Sequence, residues 1–200
     1  MPDHGRHSEY HIGAIVLAAG SGQRFGRQKM LHRHNNKTLL SHSLQALDTN
    51  KVNACFIVTG AEGELVANTH IDFDVNFIYN PKWQQGMGTS IATGITELTT
   101  RSPTVDAALI MLGDQIYIPT SAIAALLETA RNHQGKIVCA RYNAINGAPC
   151  VFPRSTFDEL LELGGDKGAR AILNDPERSV ISIEIPEAAY DIDTPEDLQT

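Results

Sequence analysis

The residues best equipped for chemistry lie in LAAGSGQRFGRQK, positions 17–29, where three glycines alternate with Arg24, Arg27 and Lys29 just after a short apolar run. Glycine lets the backbone approach an anion closely because no Cβ intervenes, and successive N–H groups in such a turn form a concave nest for negative charge. Arg24 adds a planar fork for phosphate oxygens and Lys29 a compact point charge. Two familiar phosphate-binding patterns fail here. The dinucleotide fingerprint is G-x-G-x-x-G, whereas Gly20, Gly22 and Gly26 leave one residue too many. The nearest acid that could hold a ribose, Glu62, lies too far along the chain. A P-loop needs Gly-Lys-Ser/Thr in succession, but Arg27 and Gln28 separate Gly26 from Lys29. Two readings of the loop survive: a triphosphate cradle without either signature, or a glycine turn with solvated cations.

Asp114 is the second candidate. It follows the apolar run DAALIML, which puts its carboxylate at the carboxyl end of a strand. There it can serve Mg²⁺, a hard ion that takes oxygen ligands and keeps several waters. Alone, an Asp in this position would only begin a turn; the cradle in the same chain favours the metal. Gly86, Gly88, Thr89 and Ser90 open a helix whose N–H groups suit anions and polar ligands, with simple capping as the rival account. No Ser/His/Asp or Cys/His constellation presents itself. His4, His7 and His11, with His32 and His34, fall in polar stretches and read as surface histidines. Cys55, Cys139 and Cys150 lack a C-x-x-C spacing, and Cys55 and Cys139 sit in apolar runs where a thiol acts as a small core residue.

These residues need elements to hold them. Short apolar runs at Ile12–Ala18, Ala54–Thr59 and 106–112 read as buried strands, with further strands at 75–79, 136–140, 150–152 and 180–185. Leucines at 40, 44 and 47 follow a plausible Thr38 cap at helical spacing. Helices are also expected over 87–98, from Pro119 through Arg131, and in short form over 157–163 and 169–173. In DIDTPEDLQ, Thr194 caps a last helix with Pro195 at its first position and Asp197 three residues on. Strands and helices alternate without an internal repeat. The expected fold class is therefore α/β, a three-layer sandwich with a mostly parallel sheet. Residues 1–10 read as a flexible arm and 11–200 as a single domain.

Taken together, these blocks resemble the MobA-like NTP transferase family. LAAGSGQRFGRQKML is similar to its signature loop, and Trp83 to Ser90 to its G-[ML]-x-x-S segment. Leu112-Gly113-Asp114-Gln115 matches L-G-D-[QM]-P, Gly147-Ala148-Pro149 matches G-x-P, Gly165 to Arg170 matches G-D-x-G-A-R, and Asp191 to Leu198 matches D-[IV]-D-T-P-E-D-L. The resemblance implies a Rossmann-like nucleotidyltransferase fold of the GT-A type and Mg²⁺-dependent transfer of a nucleoside monophosphate to a phosphorylated acceptor, releasing pyrophosphate. The Ala18-Ala19-Gly20 start of the loop is more like the molybdenum cofactor cytidylyltransferase branch, which implies CTP and a molybdopterin acceptor.

By that resemblance, Leu17, Ala18, Ala19, Gly20, Ser21, Gly22, Arg24 and Lys29 hold the nucleotide, with Gly88, Thr89 and Ser90 facing base and ribose. Arg24, Lys29 and Asp114 are the catalytic set. Asp193 supplies the second metal ligand, with Asp191 as fallback, and Gly147, Pro149, Asp166 and Arg170 lie on the acceptor side. Two positions depart from the pattern: Ile116 stands where a proline is usual and Ala148 where a histidine is common. A sugar or polyol phosphate acceptor is the alternative within the enzyme class. The alternative outside it is a non-catalytic nucleotide-binding partner of a molybdenum enzyme; an active enzyme could equally have a molybdenum enzyme or chaperone as partner.

The bulk properties set limits. A chain of 200 residues with 42% hydrophobic content can bury an ordinary core. A net charge of −7 with no dense Lys/Arg cluster argues against a nucleic-acid groove. There is no apolar stretch of ~18 residues, so no membrane span is expected, and a cytoplasmic location follows as an expectation.

Overall fold

The computed structural model describes residues 9–26, 29–47, 51–61, 63–69, 71–165 and 168–199. Seven strands form the main sheet: β1 (Ile12–Ala18), β4 (Ala54–Thr59), β5 (Asn76–Tyr79), β6 (Ala107–Leu112), β7 (Ile137–Tyr142), β8 (Ile145–Pro153) and β9 (Val180–Glu184). Their order is β5-β4-β1-β6-β8-β7-β9. Every pairing is parallel except the two made by β8, which runs antiparallel to β6 and β7. A two-stranded ribbon, β2 (Arg33–His34) and β3 (Lys37–Thr38), stands apart.

Side chains of successive strand residues point to opposite faces, and β1 shows what this accomplishes. Ile12, Ala14, Val16 and Ala18 join one buried cluster, while Ile15 and Leu17 join another. Helices α1 (Leu39–Gln45) and α4 (Thr120–Asn132) cover the first face through Leu40, Leu44, Ile123, Leu126 and Leu127. On the second face lie α3 (Met87–Arg101), α5 (Phe157–Leu161) and α6 (Arg170–Leu173), which contribute Ile91, Ile95, Leu98, Phe157, Leu160, Ile172 and Leu173. The result is the expected three-layer α/β sandwich with a mostly parallel sheet.

Most elements fall where the periodicity puts them, and the differences have local causes. Thr38 caps α1 as its sequence suggests, its hydroxyl accepting from the Ser41 N–H at 3.1 Å. The polar stretch around His32 and His34 is a hairpin rather than a loop. Its turn residues Asn35 and Asn36 hold φ of 47° and 66°, the left-handed conformation asparagine tolerates best after glycine. Helix α2 (Gly63–Ala67) was not anticipated, being too short to show a period. Strand β8 extends well before the expected 150–152, because pairing with β7 rather than an apolar run recruits 145–149. The DIDTPEDLQ helix is a 3₁₀ segment, Pro195–Gln199. Half of the expected capping arrangement is present: Asp197 Oδ2 accepts from the N–H and hydroxyl of Thr194 at 2.7 and 3.2 Å, so the Thr194 hydroxyl donates to Asp197.

Of the arm expected over 1–10, residues 1–8 lie outside the described residues. Tyr10 packs partly buried against the first cluster. Cys55, Cys139 and Cys150 are all buried and unbridged, as their settings suggest. No helix among the described residues is long and apolar enough to cross a membrane.

The topology fixes where a ligand can sit. From β1 the chain builds outward through β4 and β5, then returns to place β6 on the other flank of β1. In parallel sheets a ligand crevice opens beyond the carboxyl ends of the strands at such a reversal. Leu17 of β1 is in register with Leu112 of β6, so the loop after β1 and the turn carrying Asp114 emerge side by side.

Candidate active site

The loop after β1 folds as two 3₁₀ turns, Gln23–Phe25 and Lys29–Leu31, with Arg27 and Gln28 between them outside the described residues. Gly22 has φ of 58°, and its carbonyl accepts from the N–H of Phe25 and Gly26 at 2.9 and 3.1 Å. A Cβ here would also come within 3.0 Å of the Lys29 Cβ, so the glycine both turns the chain and lets Lys29 pack beneath it. Phe25 anchors the turn in a small cluster with Leu39 and Ile192, against which Ile116 packs. Ile116 thus has a role of its own in fastening the loop to the C-terminal segment.

The loop cations meet the carboxylates directly. Lys29 Nζ donates to Asp114 Oδ2 at 2.7 Å and to Asp193 Oδ1 at 3.2 Å, and Arg24 reaches Asp193 Oδ2 at 3.1 Å. The Lys29 side chain is only 10% exposed, whereas that of Arg24 is 77% exposed. Asp193 is itself positioned by Asp197, whose Oδ2 accepts the Asp193 N–H at 2.8 Å. The Ile192 N–H donates to the Asp114 carbonyl at 3.2 Å, binding the C-terminal segment to the β6 turn. Asp197 was read from sequence as a cap alone; here the same cap also orients Asp193. Its carboxyl is held below the ordinary range by the Thr194 and Asp193 N–H groups it accepts from. The Asp191 carboxyl is pushed up, first by desolvation between the cavity walls and then by the charge of Asp114.

A cavity of about 600 Å³ opens over this cluster. Leu17, Ala18, Ala19, Gly20, Ser21, Gly22, Arg24, Lys29 and Ser90 all line it, together with Asp114, Asp191 and Asp193. Gly88 and Thr89 do not. The Gly88 N–H donates to the Gly165 carbonyl at 3.1 Å, and the Thr89 hydroxyl is occupied by Gly86, Lys82 and Asn80. Asn80, which no sequence pattern singles out, is a buried hub. Its Nδ2 donates to Thr89 Oγ1 and Ser90 Oγ at 2.9 and 3.0 Å, while its Oδ1 accepts from the Lys82 N–H. It thereby fixes the start of α3, where Met87 and, from the 3₁₀ turn and cap just before it, Trp83, Gln84 and Gly86 also reach the cavity.

A second cavity of about 670 Å³ adjoins the first, sharing Leu17, Met87, Leu112 and Asp191 in its walls. Its lining is largely apolar, with Ile91, Ile110, Cys150 and Phe152 prominent, and Arg170, Tyr142, Asn146 and Asn174 supply the polar contacts. Of the residues assigned to the acceptor side, Gly147 and Arg170 line it, Pro149 is buried and does not, and Asp166 lies outside the described residues. Gly147 is small for a reason: a Cβ there would collide with the Tyr142 hydroxyl. Tyr142 carries no sequence signal, lying just past the strand expected over 136–140, which in the structure extends to include it.

The donor set fits a hard divalent cation. Among the described residues, Asp114 Oδ1 is buried without a hydrogen-bond partner, and Asp193 sets a second carboxylate on the other side of Lys29 Nζ. Among the described residues, no three His, Cys, Asp or Glu side chains converge into a self-sufficient metal site. An ion here would draw its other ligands from substrate phosphates and water.

Comparison with known proteins places the molecule by fold and then by family. The three-layer sheet is the Rossmann-like fold of nucleotidyltransferases. A nucleotidyl transferase from Methanothermobacter thermautotroptrophicus superposes with TM-score 0.71 at 22% identity, covering 94% of each chain. A homologue of Mycobacterium tuberculosis Rv0371c from Mycobacterium sp. strain JC1 gives 0.76 at 28%, over 93% of this chain and 92% of that one. The chain belongs to the MobA-like NTP transferase domain family, whose model matches residues 14–180.

Relatives include the molybdenum cofactor cytidylyltransferase of Escherichia coli K12, 25% identical over 94% of each protein. The nicotine blue oxidoreductase of Paenarthrobacter nicotinovorans is 27% identical over 81% of each. A bifunctional IPC transferase and DIPP synthase of Rubrobacter xylanophilus is 27% identical, but this chain spans only 53% of its length.

Proposed function

We propose that this chain transfers a nucleoside monophosphate, CMP from CTP, to a phosphorylated acceptor, and that the acceptor is the molybdenum cofactor. The observation that supports this best is the junction of the two cavities, one charged and one apolar, across a common wall that includes Asp191. A triphosphate in the first cavity lies against Arg24, Lys29 and the glycine loop. The acceptor phosphate enters from the second, on the side of Arg170. Its oxygen attacks the α-phosphorus, the bond to the β-phosphate oxygen breaks, and pyrophosphate leaves. Transfer of this kind needs alignment and charge neutralisation, and no covalent nucleophile from the protein.

Asp114 and Asp193 would hold Mg²⁺, which, when bound, supplies charge neutralisation on the triphosphate. Lys29 and Arg24 neutralise the same oxygens, and Asp197 keeps Asp193 in place. CTP and a molybdopterin acceptor are favoured by the Ala18-Ala19-Gly20 loop and by the E. coli relative. The test is pyrophosphate release with Mg²⁺, molybdenum cofactor and each NTP in turn. Preferential release with CTP supports the reading, and release only with another acceptor, such as a polyol phosphate, overturns the acceptor assignment.

A second reading draws on the relative named as an oxidoreductase. On that reading the charged cavity would hold a dinucleotide. Calorimetric titration with NAD(P)H and, separately, with CTP decides it: saturable NAD(P)H binding with no binding of CTP would favour the redox function.

A further inference from the structure

We propose that Lys29 is a built-in counter-ion: in the nucleotide-free protein it occupies the carboxylate pair that a divalent cation uses in turnover, so the ion enters only together with the NTP. The inference rests on the divalent-ion reading above and goes beyond it by assigning an order of binding.

The geometry is that of a tethered cation in a ligand's place. Lys29 Nζ lies between Asp114 Oδ2 and Asp193 Oδ1 at 2.7 and 3.2 Å, almost wholly shielded from solvent. The remaining oxygen of Asp193 is held by Arg24 at 3.1 Å, while Asp114 Oδ1 is buried and unpartnered. Gly22 fixes the ammonium's reach, because its left-handed turn packs directly on the Lys29 Cβ. An ion arriving alone therefore meets an ammonium already bonded to two of its oxygens, and it finds no third protein donor of the His, Cys, Asp or Glu type among the described residues. A triphosphate changes this balance. It offers Lys29 and Arg24 new anionic partners and brings the extra oxygen ligands that the ion needs. Ammonium and ion then exchange positions, and the two ligands must raise each other's affinity by the same factor.

The test uses the full-length protein with Mn²⁺ as the probe, its free concentration followed by electron paramagnetic resonance. Titrations are made with the protein alone and saturated with α,β-methylene-CTP. The wild type should bind Mn²⁺ about ten-fold or more weakly without the analogue. Lys29→Met should tighten Mn²⁺ binding to the nucleotide-free protein by a similar factor, and Mn²⁺ alone should then raise its Tm but not that of the wild type. Lys29→Gln, which keeps a hydrogen-bonding group without the charge, gives the same comparison if the methionine variant does not fold. Unchanged or weaker Mn²⁺ binding in both variants overturns the counter-ion proposal while leaving the transferase reading intact. No Mn²⁺ binding to the wild type even with the analogue overturns the divalent-ion reading and this proposal with it.

Discussion

The two cavities that meet at Asp191 are built by opposite means. The first is lined by the loop after β1, the ends of β1 and β6, the segments that carry Asp114 and Asp193, and the chain leading into α3, and its Arg24, Lys29, Asp114 and Asp193 are held by ion pairs. The second is assembled from β6, β8, α3 and α6, with Arg170 and Asp191 the charged groups among its described lining residues. A charged site must be compact in sequence or densely cross-linked, since each buried charge needs a partner within a few ångströms. An apolar pocket needs only surface of suitable shape, which residues far apart in the chain can supply. The contrast predicts that substitutions in the first cavity act on turnover with little effect on the fold. Substitutions in the second should act on acceptor binding and, where they reach the core, on stability.

The largest expected effect is that of Asp114→Asn. It removes one partner of Lys29 and the carboxylate with the unpartnered oxygen, so kcat should fall by about 10³-fold or more while circular dichroism stays native. Retention of a tenth of wild-type kcat would break the assignment. Next is Ile110→Ala under the second cavity. Ile110 is 3% exposed in β6, and its truncation should cost about 2–5 kcal/mol by urea denaturation. Gln23→Ala in the exposed loop should change stability by no more than about 0.5 kcal/mol.

A sharper comparison pairs Arg170→Ala with Arg24→Ala. The first should raise KM for the acceptor about ten-fold and spare that for NTP, and the second should do the reverse. If both variants shifted the same KM, the division of labour between cavities would be wrong. The smallest effect concerns the thiols. Burial, aided by the charge of Asp74, pushes the Cys55 thiol up to about 12, and burial likewise raises Cys139 and Cys150. All three should stay protonated at pH 8, so iodoacetamide should add no mass to the native protein.

The same contrast explains how much could be read from the residues. The glycine loop, Asp114 and DIDTPEDL are local patterns; the β1/β6 register brings the first two together, and the Ile192 N–H on the Asp114 carbonyl brings in the third. The alternating burial of β1 and the Thr38 cap were legible for the same local reason. What lay beyond reach depended on distant partners. Tyr142 enters the second cavity because β7 pairs with β8, Tyr142 opposite Ile145, which lays its hydroxyl against Gly147, and nothing near it in sequence signals this. Asn80 became a hub only once α3 began beside it. Gly88 and Thr89, placed at the nucleotide by motif, lie outside the lining of the charged cavity, with the Gly88 N–H on the Gly165 carbonyl and the Thr89 hydroxyl on the Gly86 carbonyl. For the absence of a histidine at position 148 the structure shows only that Ala148 lines the apolar wall.

The central claim is that a nucleotide in the charged cavity is attacked by a phosphate entering from the apolar one. Single-turnover reaction of the wild-type protein with Mg²⁺, [α-³²P]CTP and molybdenum cofactor tests it most directly. The account predicts that the label moves to the cofactor as one pyrophosphate is released per nucleotide consumed. Label remaining in CTP, or appearing as free CMP with no labelled cofactor, would contradict it.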